Sequence, residues 1–119
     1  SMPTWNISHW TKDRVKGDKI PLEFLVRKQT KETAETFGLM DRGQIKEGYM
    51  ADINIIDHDK LCVYKPEMVH DLPTGSRRII QKAGGYIATI KSGVVTFKDD
   101  EATGELPGTL IRGEQAAHA

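Results

Sequence analysis

Residues 48–57 read GYMADINIID, and this stretch constrains the fold more than any other. Ala51, Ile53 and Ile55 alternate with Asp52 and Asn54, the two-residue period of a half-buried strand, and Gly48 marks the turn into it. A strand's backbone donors and acceptors have to be paired by neighbours. The 119 residues must therefore supply partner strands themselves or leave a sheet unfinished.

Candidate partners are present. Runs rich in β-branched residues lie between turn residues at Leu61 to Tyr64, Arg78 to Lys82, Tyr86 to Lys91 and Val94 to Lys98, alongside Met50 to Ile56. In YIATIKSGVVTF, Ser92-Gly93 is a two-residue connection that predicts a hairpin. Upstream the pattern differs. From Pro21, the residues Leu22, Leu25, Val26, Thr33, Ala34 and Phe37 fall on one helical face, with Glu23, Arg27, Lys28, Lys31, Glu32 and Glu35 elsewhere. Pro21 suits the first helical turn and Gly38 a left-handed stop. Thr30 could cap a second short helix, so one helix or two is open at this level. Residues 1–20 show no sustained period and read as a loop. Beyond Asp100 the tail is rich in Gly and Pro but holds Leu106, Leu110 and Ile111, which call for burial. A helix followed by several short strands is an α+β pattern, mostly β.

Charge excludes some partners. Lys plus Arg and Asp plus Glu both total 17, and the pI is near 6.9, so the basic excess of a nucleic-acid binder is missing. No run of eighteen apolar residues offers a membrane span, and the N-terminus lacks the apolar segment of a secretion signal. The single cysteine, Cys62, cannot make an internal disulfide, and Leu-Cys-Val reads as a small apolar residue in a strand. A reducing, cytoplasmic setting is the expectation. Ser1 ahead of Met2 suggests an internal piece carrying added residues.

Motifs with chemistry are sparse. The histidines, His9, His58, His70 and His118, form neither H-x-H nor H-E-x-x-H, so no metal ligands and no catalytic residues are assigned. Asp57-His58-Asp59 reads as a solvated turn. His70-Asp71 has nearby hydroxyls at Thr74 and Ser76, but they lie on a Pro-Gly turn without a nucleophile elbow. Gly84-Gly85 precedes a strand and reads as a bulge or bend. Lys91 in ATIKSG reads as a solvated turn lysine, with no prosthetic group attached. His9, Trp10, Lys12, Asp13 and Arg14 are the most site-like group, since an aromatic, an imidazole and a guanidinium share a loop; the plainer reading is a loop docked by packing and cation–π contact.

Longer segments carry a family resemblance. SHWTKDR, IPLEFLVRKQT, ETFGLMDRGQIKEGYMADINIID, HDLPTGSRRIIQKAGGYIATIKSGVVTF and TGELPGTLIRG, spanning about Trp5 to Gly113, resemble the C-terminal segment of N-acyl-D-amino-acid deacylases in the amidohydrolase superfamily. The most specific pieces are G-L-x-D-R-G and G-x-x-A-D-I over Gly38 to Ile53, and R-x-x-Q-x-x-x-G-Y over Arg78 to Tyr86. The resemblance implies a metal-dependent (β/α)8 barrel with a small β-sandwich assembled from both chain ends.

On that reading residues 1–20 follow the last barrel strand, 21–38 form the last barrel helix region, 39–113 are the sandwich portion, and 114–119 are a flexible tail. His9 and Arg14 become candidates for lining the substrate mouth, because barrel active sites lie at the C-terminal ends of the strands. The family's zinc ligands precede the region matched, so no cofactor is expected in this chain, and alone it is expected to be inactive. Its expected partners are the remainder of the enzyme and, through unpaired edges, further copies of itself. The alternative is an autonomous β-rich binding or interaction module.

Overall fold

A computed structural model of the protein describes residues 1–116; His118 and the end of the 114–119 tail lie outside the described residues. In chain order the helices are α1 (Met2–Ser8), α2 (Leu22–Arg27) and α3 (Thr33–Thr36). The strands are β1 (Ile53–Ile56), β2 (Cys62–Val63), β3 (Glu67–Val69), β4 (Arg78–Ile80), β5 (Ala83–Gly84), β6 (Tyr86–Lys91), β7 (Val94–Lys98) and β8 (Glu101–Ala102). The α+β, mostly β expectation holds at this level.

The hairpin forms as the sequence predicts. Ser92 and Gly93 take φ of 52° and 81°, so both central residues are left-handed and the turn matches the strand twist. β1 pairs with β6 and β8 with β7, giving an antiparallel sheet of order β1-β6-β7-β8; β2–β5 and β3–β4 form two separate ribbons. Gly84-Gly85 does make a bend. Ile55 faces Ala88 while Ile56 faces Tyr86, so the register slips by one residue beside it. Gly85 has φ of 97°, and a Cβ there would sit 2.8 Å from Leu61 N.

In the N-terminal half one expectation is corrected and one open alternative is decided. Residues 2–13 are helical, not a loop: α1 runs into a wider π-type turn over His9–Asp13, closed by the Arg14 N–H donating to His9 O at 2.8 Å. Thr4, Ile7, Ser8 and Thr11 share one face of this helix, and the first three are buried. A face made largely of hydroxyl residues carries no hydropathy signal. The second helix is continuous from Leu22 to Thr36 through a π-type segment over Lys28–Glu32. Thr30 caps nothing; its hydroxyl donates to Val26 O at 2.8 Å, one turn back.

The core is small. Ile7, Ala34 and Leu61 are the buried apolar residues among those described, and Leu61 alone is almost fully enclosed. The accessible surface is 8976 Å², where a self-sufficient monomer of this mass exposes about 6,500 Å². The radius of gyration is 16.3 Å, against about 13.5 Å for a compact domain of this length. Phe24, Val26, Phe37, Ile55, Ile87 and Phe97 all remain exposed on the helix and sheet. The expectation that the tail buries its apolar residues is also corrected: Leu106 and Leu110 are 92% and 77% exposed, because no described element covers them. The expected flexible tail is anchored at one point, where Gln115 N donates to Gly38 O and Met40 N to Gln115 O, both at 2.8 Å.

Candidate functional site

Of the site-like residues, the structure brings His9, Trp10 and Arg14 together with Trp5 as one stack. His9 lies flat on Trp5, ring centroids 4.5 Å apart and planes 8° from parallel. Trp10 meets His9 edge-on at 5.1 Å, and the Arg14 guanidinium sits 4.7 Å from the Trp10 ring centroid. Trp5 and His9 lie four residues apart, as do Trp10 and Arg14, so each pair meets on one side of the helical segment. Arg14 Nε also donates to Lys16 O, and Ile20 N–H donates to Trp10 O at 2.9 Å, closing the loop onto its own start. His9 and Arg14, the candidate mouth residues, are thus both held by Trp10.

The segment bearing the stack is fastened to the sheet. Thr4 Oγ1 and Tyr86 OH share a 2.7 Å hydrogen bond, and Ser1 Oγ bonds Gln81 Oε1. Thr11 gives its only proton to Ile7 O at 2.7 Å, so in the 2.8 Å contact with His58 it accepts, and His58 Nε2 carries the hydrogen. Lys12 Nζ donates to His58 O, Asp59 O and Leu61 O at 3.2, 3.0 and 3.1 Å. Hydropathy and spacing could not have indicated the bonds to the sheet and the turn after β1, because each joins residues far apart in sequence.

Two of the three most specific motifs meet in a charge network. Arg42 of D-R-G grips Asp41 with two bonds of 2.8 and 3.0 Å and reaches Asp52 of G-x-x-A-D at 3.3 Å. Lys91 Nζ donates to Asp52 at 2.9 and 3.2 Å, and Ser92 N–H donates to the same carboxylate at 2.9 Å. Burial pushes the Asp52 pKa up, but the bonds from Lys91 and Ser92 and the charges of Lys91 and Arg42 outweigh it and hold the carboxyl below its ordinary value. Asp41 is buried, and its bonded carboxylate raises the pKa of Arg42. Lys91 is therefore a paired cross-strand residue, not the solvated turn lysine expected. Gly43 completes the motif: with φ of 85°, its α-carbon approaches the helix so closely that a Cβ would lie 2.9 Å from Thr30 O. These residues hold helix, loop and sheet together.

The amidohydrolase family's sequence pattern matches residues 2–97. The chain belongs to the amidohydrolase family. It is 33% identical over 91 residues to the D-aminoacylase of Alcaligenes xylosoxydans xylosoxydans, a match covering 76% of this chain and 17% of that protein. The amidohydrolase chain thus spans about a sixth of that relative's length. No solved structure matches it.

The other polar clusters of this amidohydrolase chain have structural partners. Asp57-His58-Asp59 forms a turn in which Asp57 accepts the Lys60 N–H at 3.3 Å and pairs with its ammonium at 3.1 Å. Asp71 is clamped by Arg78 through two 2.6 Å bonds, and Thr74 and Ser76 bond each other at 2.7 Å. Cys62 is half-buried in β2. Among the described residues no three His, Cys, Asp or Glu side chains gather so that they could hold a metal ion. The zinc that the family resemblance implies thus finds no fit among them. No helix among the described residues is long and apolar enough to cross a membrane.

Proposed function

We propose that this chain is the C-terminal structural part of a metal-dependent amidohydrolase that hydrolyses N-acyl-D-amino acids to a D-amino acid and a carboxylate. Its strands complete the small β-sandwich, Leu22–Thr36 is the last barrel helix, and any zinc is held by residues elsewhere in the longer protein. His9 and Arg14 line the substrate mouth. In isolation the chain is inactive and associates with copies of itself.

The observation that carries this reading is the uncovered surface: the chain exposes about 2,500 Å² more than a self-sufficient monomer, an excess on the scale of an obligate interface. Charge and apolar character favour covering by protein. The motif residues that distinguish the family are engaged in holding the elements together, as expected of scaffold.

Two experiments test the proposal. The purified chain is expected to release no D-amino acid from N-acetyl-D-amino acids; turnover that survives repurification and disappears with a chelator overturns it. At the source locus, the reading frame is expected to continue several hundred residues upstream and to contain an H-x-H motif. A frame starting at Met2 overturns the fragment reading and favours an autonomous module.

A further inference from the structure

The ammonium of Lys12 and the turn after β1 fit each other donor for acceptor. A lysine ammonium has three N–H donors and no acceptor. Three backbone carbonyls of one turn, those of His58, Asp59 and Leu61, face Lys12 Nζ at 3.0 to 3.2 Å. The turn is shaped independently of Lys12: Lys60 N donates to Asp57 O at 3.2 Å, Leu61 N to His58 O at 3.4 Å, and the Asp57 carboxylate accepts the Lys60 N–H. Its far side is fixed too, since Leu61 is the most enclosed side chain among the described residues and its backbone abuts Gly85. The carbonyls therefore form a preset cradle for a cation that donates three hydrogen bonds, and Lys12 supplies that cation on a tether.

Lys12 lies between Trp10 and Arg14 in the π-type turn that carries His9 and Trp10 of the aromatic stack. Its neighbour Thr11 accepts a hydrogen bond from His58 of the same turn. We infer that Lys12 is a positioning residue: its ammonium, set in the carbonyl cradle of residues 58–61, fixes the Trp5–His9–Trp10–Arg14 stack to the sheet. The stack then moves with the β portion as one body. Charge-assisted bonds of this kind are stronger than neutral ones and specify a location as well as adding energy. The assignment of His9 and Arg14 to a substrate mouth rests on the proposed function; the latch itself does not.

The test uses this chain without turnover, so its outcome is separate from that of the proposed activity. In the wild type, the His9 ring protons lie over Trp5 and are expected upfield in the NMR spectrum, and the two tryptophans give a near-ultraviolet circular dichroism band. Lys12→Ala is expected to lose both signatures while the β6 and β7 amides keep their protection from hydrogen exchange. Ethylammonium, which can donate three N–H bonds, is expected to restore them; tetramethylammonium at the same concentration, charged but without donors, is not. Unchanged signatures in Lys12→Ala, failure of ethylammonium to restore them, or equal restoration by tetramethylammonium overturns the inference. Loss of β6 and β7 protection also overturns it, by making Lys12 a support of the whole fold. As a second variant, Lys12→Met keeps the stem and removes the donors. It is expected to lose the stack without rescue by either cation; a retained stack shows that packing of the stem suffices and overturns the latch.

Discussion

Asp52 lies 2.9 Å from the Lys91 ammonium at the start of the β1–β6 pair and 3.3 Å from Arg42 Nη1, so one carboxylate joins the loop after the helix to the sheet. The Asp41-Arg42-Gly43 and Ala51-Asp52 segments are thus two ends of one junction.

Replacing Asp52 by Asn removes the charge that Arg42 and Lys91 share. The expected loss of stability at neutral pH is about 1–2 kcal/mol, below the figure for a fully buried pair because solvent reaches the site. Urea unfolding of the two proteins measures it.

The same junction sets a pH dependence. Asp52 has a folded pKa below its ordinary value of 3.8, so it contributes stability that is fully present above that value and is lost as pH falls through the lower folded value. Wild type and Asp52→Asn are expected to differ at neutral pH and to converge in strong acid. A difference that stays constant on acidification contradicts the assignment.

Gly43→Ala places a methyl group 2.9 Å from both Ala34 Cβ and Thr30 O on a backbone with φ of 85°. The expected cost is about 2–4 kcal/mol from strain and overlap together. Gly75→Ala also has a positive φ but meets nothing within 4 Å, so only the backbone strain of about 1 kcal/mol is expected. Equal costs would show that the close approach to the helix is unimportant.

Leu61→Ala opens the one almost fully enclosed site among the described residues, where Leu61 is 1% exposed, and is expected to cost about 2–5 kcal/mol. Phe37→Ser, at a side chain 73% exposed, is expected to change stability by no more than about 0.5 kcal/mol while reducing self-association. Thermal unfolding and light scattering read the two effects separately.

What the sequence disclosed follows from where its signals are local. The hairpin was legible to the residue because Ser92-Gly93 specifies its turn, and the helix was legible because Leu22, Leu25 and Val26 repeat at helical spacing. The first helix was hidden by chemistry: Thr4, Ser8 and Thr11 fill its inner face with hydroxyls that score as polar yet are satisfied by Tyr86, Trp5, Ile7 and His58. β3 and β5 escaped notice because each is only two or three residues long and is held by its ribbon partner. The site group at His9, Trp10 and Arg14 was visible as composition, but its fastening through Lys12 was not, since that depends on carbonyls 46 to 49 residues away.

The open surface makes the most direct claim of all. Multi-angle light scattering of the purified chain at high micromolar concentration, with an environment-sensitive dye for apolar surface, measures whether the exposed helix and sheet faces need cover. Particles larger than one chain, or dye binding that Phe37→Ser weakens, are the expected result. A monodisperse 13.3 kDa species that binds no dye contradicts the account.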